Sequence, residues 1–308
     1  MKSWKQIIFK RIGLLIFTIL FTSSCFSQGN LESDLVLDFF SSIYNYDIKS
    51  AAKNLAEVKR EFSGEPEAGL CETNYYWWLM MMGEENEKYT TAFENANLKL
   101  IDDLGKSSPE RLSPDEVFAI IHAYAYQTRY CLHHKKYPQG IANIKKIGPY
   151  LKRVLANPEL NEKYKFIAGL YHYTAAVTKE EKPLLRPLFK LAPDSDKDLG
   201  YRLLNEAANS PHPLLRTEAT YFMMKIELEI LHKNNEALIL SRSLMTSFPN
   251  NILYQYYVLC TLTELKLKNS CQMQQNKIIK LSNSLPGLNN AQRSHFQTEG
   301  ELVIKKIK

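Results

Sequence analysis

Histidines, carboxylates and tyrosines are the side chains of this chain that could bind a metal, move a proton or hold a ligand. His122, His133 and His134 fall in one predicted helix. Adjacent helical residues point about 100° apart, so His133 and His134 do not share one face. His122 lies about three turns away, whereas zinc sites on helices use spacings of three or four residues. The spacing favours a solvated helix end, and no metal and no cofactor are predicted.

The sequence also lacks the short motifs of common catalytic sites. It contains no Gly-x-Ser-x-Gly, no H-E-x-x-H, no P-loop and no dinucleotide fingerprint. Asp194, Asp196 and Asp198 alternate as in a calcium loop, but they lack the distal Glu of an EF-hand. Helix capping explains these aspartates better. The chain is therefore predicted not to be an enzyme, and no catalytic residue is assigned.

The densest group of ligand-holding side chains is the aromatic run from Tyr75 to Trp78. Such rings either stack on a peptide or sugar, or fill the space between helices. Because the run covers every face of its helix, at least one of Trp77 and Trp78 is expected in the core. Other tyrosines could line a surface with this run. The predicted ligand groove consists of Tyr75, Tyr76, Trp77, Trp78, Tyr124 and Tyr171.

The elements that carry these residues are predicted to be helices. Glycine is scarce, at 12 residues, and apolar residues recur at three- and four-residue spacing. Asp47 is a predicted N-cap, and Ser113-Pro114-Asp115-Glu116 has the pattern of a capping box. About twelve helices joined mostly by short turns follow from this pattern, with a short helix or turn at Pro183–Leu191. Short connections favour antiparallel neighbours.

One stretch carries a family resemblance. Ala237, near the start of a predicted helix, stands twelve positions before Pro249, and the preceding helix carries Ala219, Tyr221 and Phe222. This pattern resembles a tetratricopeptide repeat (TPR), in which a small residue lets two helices approach and proline ends the unit. The resemblance covers about 199–267. The first helix of this pair is longer than the usual repeat helix.

A second resemblance concerns exported, TPR-like proteins of bacterial envelopes. The segment Gly169-Leu170-Tyr171 and the Gly-Tyr-x-x-Leu helix beginning at Gly200 are similar to segments of such proteins. The two resemblances imply an all-α fold of antiparallel helix pairs, stacked as a TPR-like α-solenoid. They carry no enzymatic residues, because this fold is typically a binding scaffold.

The N-terminus has the layout of an export signal. Four Lys and Arg residues precede an apolar run from Ile12 to Phe21, which is shorter than the roughly 20 residues of a membrane span. One predicted cleavage follows Ser27, which makes 1–27 the signal peptide. The alternative cleavage precedes Cys25, where the sequence resembles a lipobox and Cys25 would be lipidated. The chain is therefore expected to be exported, either periplasmic or as a membrane-anchored lipoprotein.

Charge and cysteine content narrow the classes of partner. The chain has 39 Lys and Arg against 33 Asp and Glu, and removal of the leader leaves 35 against 33. This near balance predicts no nucleic-acid partner, and contact with a membrane only through a lipid anchor. An exported chain meets an oxidising compartment. A disulfide between Cys260 and Cys271 is one prediction, and four buried thiols are the alternative.

These features predict one helical-repeat domain over 31–308, with a possible sub-boundary near 105–113. The expected function is a non-enzymatic scaffold that binds a protein or peptide partner in the cell envelope. The alternative is a small-ligand or glycan-binding protein that uses the aromatic groove. Neither the partner nor the oligomeric state follows from the sequence.

Overall fold

The computed structural model of the chain describes residues 34–81, 87–181, 192–286 and 288–305. Over these residues the chain forms thirteen α-helices and no strand, which confirms the predicted all-α fold. The helices are α1 (Asp34–Tyr44), α2 (Ile48–Glu61), α3 (Pro66–Met81), α4 (Glu87–Leu104), α5 (Pro114–His133), α6 (Tyr137–Ala156), α7 (Glu162–Glu181), α8 (Lys197–Ala208), α9 (Pro213–Lys225), α10 (Asn234–Ser247), α11 (Ile252–Glu264), α12 (Lys268–Ser284) and α13 (Asn290–Ile304). The predicted turn at Pro183–Leu191, like the leader, lies outside the described residues.

Side-chain caps set several of the helix starts. The Asp47 carboxylate accepts a hydrogen bond from the Ser50 N–H at 3.1 Å, so Asp47 is the predicted N-cap of α2. Ser113 and Glu116 form the predicted capping box at α5. Asp196 caps α8 by accepting from two backbone N–H groups. Each cap satisfies N–H groups that have no partner within the helix.

Helices that are neighbours in the sequence pack as adjacent pairs in a solenoid-like arrangement. In the pair α7–α8 two glycines allow a close approach. A Cβ at Gly200 would lie 2.2 Å from the Tyr173 backbone nitrogen, and a Cβ at Gly169 would lie 2.9 Å from that of Leu204. Glycine is required at both positions because only its hydrogen atom fits between the two backbones.

Four connections between paired helices share one backbone geometry. Each contains a non-glycine residue in the left-handed region, with φ between 53° and 59°, namely Tyr46, Lys135, His232 and Lys266. In three of them the next residue donates its N–H five residues back, as in a Schellman motif. These bonds run from Asp47 to Ser42 (3.0 Å), from Lys136 to Cys131 (2.6 Å) and from Leu267 to Leu262 (3.0 Å).

The same four turns are followed by a small buried residue. Five positions after the left-handed residue stand Ala51, Gly140, Ala237 and Cys271. A Cβ at Gly140 would meet the Leu132 side chain at 3.2 Å, so the second helix lies close to the first at this position. His232 and Lys266 are 34 residues apart. The fold is therefore like that of a helical repeat, in which one turn geometry occurs four times among the described residues.

The left-handed turns lead to a first prediction. Replacing the exposed Lys266 by glycine is expected to raise the free energy of unfolding by about 1 kcal/mol, because glycine adopts a positive φ without the Cβ penalty. Lys280 is also exposed, but it lies inside α12. The control Lys280→Gly should lower the stability by about 0.5–1 kcal/mol. Urea denaturation checks both variants, and a loss of stability in Lys266→Gly would contradict the assignment of this turn.

The described chain divides into two units. The first is the continuous segment 97–219, and the second combines 34–96 with 220–305. The loop at 105–113, where the sequence predicts a sub-boundary, lies inside the first unit. The chain passes between the units within α4 and within α9.

Aromatic rings fill the core of the second unit. The Tyr44 ring lies 5.4 Å from the Trp78 ring and 5.4 Å from the Phe248 ring. Tyr254 packs edge-on to Trp78 at 6.5 Å. The Asn251 side chain caps α11 and also donates to the Tyr44 carbonyl at 2.6 Å. Residues near the two ends of the described chain therefore build one core, stabilised by ring contacts and by a buried hydrogen bond.

The first unit contains a buried charged pair and a buried histidine. Lys163, 1% exposed, pairs with Asp115 of α5, and its ammonium lies 5.7 Å from the Phe118 ring centre. Phe118 stacks on His122 at 5.1 Å, and Tyr126 meets the other edge of that imidazole at 5.1 Å. Burial lowers the pKa of His122 to about 3, so the ring is neutral at pH 7.

Candidate functional site

The predicted groove divides between the two units. In the second unit, Trp77 and Trp78 are each only 4% exposed, and their rings contact Phe93 and the Tyr44 cluster respectively. This confirms the expectation that at least one tryptophan belongs to the core. Tyr75 and Tyr76 are half-buried, with their rings edge to face at 5.3 Å. Only these two residues of the run retain substantial exposed surface.

Tyr124 and Tyr171 lie in the first unit, and both are 7% exposed. The Tyr124 ring packs near Tyr150 at 6.4 Å. The Tyr171 hydroxyl donates to the Pro193 carbonyl and so fastens the segment before α8 to α7. Burial, together with the nearby Asp194 charge, raises the pKa of Tyr171 to about 12. Both tyrosines thus have packing or fastening contacts within their own unit.

The structure describes every cysteine except Cys25. Cys25 lies outside the described residues, and its lipidation stays a prediction. Cys260 is half-buried in α11, and Cys271 is buried in α12 with its sulfur 3.7 Å from the Thr263 hydroxyl. Within the described ranges Cys271 takes part in no disulfide. Its pairing with Cys260 under oxidising conditions stays a prediction.

A π-helical turn marks a different place in the second unit. The helix α9 continues through Ile226–Ile230 with π geometry. Here the Lys233 N–H donates to the Glu227 carbonyl six residues back, at 2.8 Å. In the other three left-handed turns the corresponding N–H donates five residues back. A π-turn adds one residue to a helix and is frequent at functional sites. It also lengthens the helix that precedes α10.

Four polar side chains converge beside this turn. The Lys225 ammonium lies 3.2 Å from the Tyr257 hydroxyl, which lies 3.4 Å from the Tyr221 hydroxyl. The same ammonium lies 3.7 Å from the Glu229 carboxylate. The lysine side chain is 7% exposed and the glutamate side chain 20%. A buried cation needs such a partner and such hydrogen bonds, because desolvation is otherwise costly.

The electrostatics of this cluster keep the Tyr257 phenol protonated. Burial raises the pKa of Tyr257 well above its ordinary value, and Tyr221 and Glu229 raise it further. Burial likewise raises the pKa of Tyr46, and the charge of Tyr221 also acts to raise it. A neutral phenol donates and accepts hydrogen bonds but is a poor base and nucleophile. The cluster therefore suits recognition and not proton abstraction.

A half-exposed stripe on α11 borders this cluster. Leu253, Tyr256, Tyr257 and Cys260 are all half-buried, and they follow the i, i+3, i+4, i+7 spacing of one helix face. The Tyr256 and Tyr257 rings meet at 5.9 Å. The stripe offers aromatic surface, while its polar edge is the Lys225–Tyr257 pair. We name these residues, with Tyr221 and Glu229, the α9–α11 surface.

The sequence held one signal for the α9–α11 surface. Lys225, Glu227 and Glu229 alternate with apolar residues inside a run that is otherwise almost wholly apolar from Ala219 to Leu231. Charged side chains in a buried helix are rare unless they are paired. The three charged residues therefore indicate the cluster, whereas the rings of Trp77 and Trp78 belong to the core.

No protein-family model, curated protein or solved structure that was compared with the chain matches it. Among the described residues, no helix combines the length and the hydropathy that crossing a bilayer requires. Within the same ranges, no three His, Cys, Asp or Glu side chains group together as a metal site.

Proposed function

We propose that the chain is a non-enzymatic, exported, TPR-like scaffold whose α9–α11 surface binds a protein or peptide partner in the cell envelope. The observation that carries this proposal is the half-exposed aromatic stripe of α11 beside the Lys225–Glu229 pair and the π-turn. Tyrosine is enriched among the residues that dominate protein interfaces, because it combines a large ring with a hydroxyl.

The repeat geometry supports the TPR-like part of the proposal. The 34 residues between His232 and Lys266 equal the length of a tetratricopeptide repeat. Ala237, fully buried, and Pro249, twelve positions later, fit the same pattern. In that register α9 and α11 are the first helices of successive units. Stacks of such units offer extended surfaces to extended partners.

The non-enzymatic part rests on the chemistry of the cluster. The Tyr257 phenol stays protonated at neutral pH, and the one ammonium of the cluster is engaged by Tyr257 and Glu229. Such a set fixes the direction of polar contacts without supplying an activated nucleophile. Export rests on the basic and apolar leader, and lipidation of Cys25 would hold the scaffold at a membrane.

A comparative capture experiment tests this proposal. The tagged chain, Tyr256→Ala and a matched control are incubated with envelope extract of the producing organism, and bound proteins are quantified by mass spectrometry. Ile239, 70% exposed on α10 in the same unit, provides the control Ile239→Ala. We expect one partner to be retained by the wild type and the control, and reduced at least about tenfold by Tyr256→Ala. Identical captured sets for all three proteins would refute the proposal.

Glycan binding is a second candidate, favoured by one observation. Tyr75 and Tyr76 remain half-buried, with their rings edge to face at 5.3 Å. Sugars stack on such rings. Because Trp77 and Trp78 are buried, a bound sugar would rest on the tyrosines alone. Calorimetric titration with oligosaccharides distinguishes this candidate from protein binding.

A further inference from the structure

The α5–α6 hairpin has an unusual charge pattern. From Val117 to Pro158 the sequence contains no Asp or Glu, although the same stretch contains seven Lys and Arg residues. The rest of the chain has 32 basic and 33 acidic residues, since the whole chain has 39 and 33. The near balance of the mature chain therefore conceals a local excess of positive charge in the first unit.

The structure places most of this charge on one exposed face. One side of α6 is buried through residues spaced by three or four, namely Gly140, Asn143, Ile147, Tyr150, Leu151 and Val154. Lys145, Lys146 and Lys152 are exposed on the other side, and Lys135 and Lys136 are exposed in the turn before the helix. From Lys135 to Lys152 this row extends about 25 Å, at 1.5 Å per residue. We name Lys135, Lys145, Lys146 and Lys152 the lysine face.

The lysine face is not neutralised by carboxylates. Among the residues that the structure describes, none forms an ion pair with Lys135, Lys145, Lys146 or Lys152. The Lys146 ammonium lies 5.9 Å from the Tyr124 ring centre, a contact that orients the charge but leaves it positive.

Other lysines of the same unit behave differently. Lys99 and Lys106 both pair with Asp103, at 2.5 and 3.1 Å, and Lys197 pairs with Glu180 at 3.1 Å. The contrast shows that unpaired charge is a property of the lysine face and not of every exposed lysine in this unit.

We propose that the lysine face docks onto an anionic phospholipid membrane surface. Lysine ammoniums are compact point charges that suit a diffuse layer of headgroup phosphates, whereas recognition of single phosphates favours forked arginines. The one arginine of α6, Arg153, donates to the Pro109 and Leu112 carbonyls. Tyr137, 55% exposed at the start of α6, is a residue type that favours the membrane interface.

The binding would be electrostatic and peripheral. Because the apolar face of α6 packs into the first unit, the helix does not insert into the bilayer. A membrane is preferred to a nucleic acid because the expected export places the chain beside lipid, and because the excess charge is confined to one hairpin. The lysine face lies in the first unit and the α9–α11 surface in the second, so either proposal can fail without the other.

Vesicle cosedimentation tests this inference with the chain beginning at Gln28, the predicted mature form. Vesicles of phosphatidylcholine alone are compared with vesicles that also contain phosphatidylglycerol, at low and high salt. We expect binding only to the anionic vesicles, and its loss at high salt. The triple variant K145Q/K146Q/K152Q should bind about 100-fold more weakly, at about fivefold per lysine.

A matched variant separates this surface from net charge. K99Q/K106Q/K197Q removes the same number of charges from lysines elsewhere in the same unit, and its affinity should change less than about threefold, because those charges are already paired. Equal losses in the two triple variants would overturn the proposal, and so would equal binding to neutral vesicles. Tighter binding to duplex DNA or RNA that displaces the vesicles would overturn it in favour of a nucleic acid.

Discussion

Replacing Gly200 by alanine is expected to lower the free energy of unfolding of the first unit by about 3 kcal/mol or more. The new Cβ would lie 2.2 Å from the Tyr173 nitrogen and 2.7 Å from its Cα. These atoms belong to the backbone of α7, so the two helices must separate. The gain in helix propensity, about 1 kcal/mol, does not offset this cost.

Graded variants make this prediction specific. Gly169→Ala should cost less, because its Cβ would meet the Leu204 nitrogen at 2.9 Å and side-chain atoms at 3.1 Å. Asn205→Ala, at an exposed position of α8, is the control and should leave stability nearly unchanged. Circular dichroism is the required probe, because residues 97–219 contain no tryptophan. A Gly200→Ala protein as stable as the control would contradict the close crossing of α7 and α8.

Acidification from pH 7 to pH 5 is expected to lower the stability of the first unit by about 2 kcal/mol through His122 alone. Its pKa is about 3 in the folded chain and about 6.5 in an unfolded one. The stabilisation from the neutral ring is present above pH 6.5 and is lost as the pH falls from 6.5 towards 3. His212, whose pKa is lowered to about 4 by burial and by Lys163, acts in the same direction.

The variant His122→Phe isolates this contribution. It keeps an aromatic ring between Phe118 and Tyr126 and removes the titratable group. The free energy of unfolding should therefore depend less on pH between 7 and 5, whatever the effect of the substitution at pH 7. His295→Gln, exposed in the second unit, should keep the wild-type slope. An unchanged slope in His122→Phe would show that another group carries the acid sensitivity. Asp103, whose pKa is lowered by its lysine partners, titrates below this window.

The parts of the fold that depend on short-range chemistry could be predicted from the sequence. The capping box at Ser113 and Glu116 and the caps at Asp47 and Asp196 each involve residues at most three positions apart. Their geometry therefore follows from local hydrogen bonding. Helix type and approximate bounds followed from apolar spacing in the same way.

The sequence contained only one sign of the candidate surface, and the rest could not be predicted, for two physical reasons. A π-turn adds one residue to a helix without changing its apolar composition, so Ile226–Ile230 looks like ordinary helix in sequence. The Lys225–Tyr257 contact joins residues 32 positions apart, and its existence depends on how α9 and α11 pack. Aromatic content alone pointed to Trp77 and Trp78, because composition does not distinguish a buried ring from an exposed one.

The core of the second unit is built from two separate segments of the chain, so it can form only late in synthesis. The Asn250 N–H donates to the Asn45 side chain across 205 positions, so α1 must wait for most of the chain to emerge before it meets its neighbours. The segment 97–219 is continuous, so it can fold as soon as it has been synthesised. During that interval Tyr44 and Trp78 lack the Phe248 and Tyr254 rings that cover them in the finished molecule. The nascent N-terminal helices are therefore the stretch that most needs a holding chaperone.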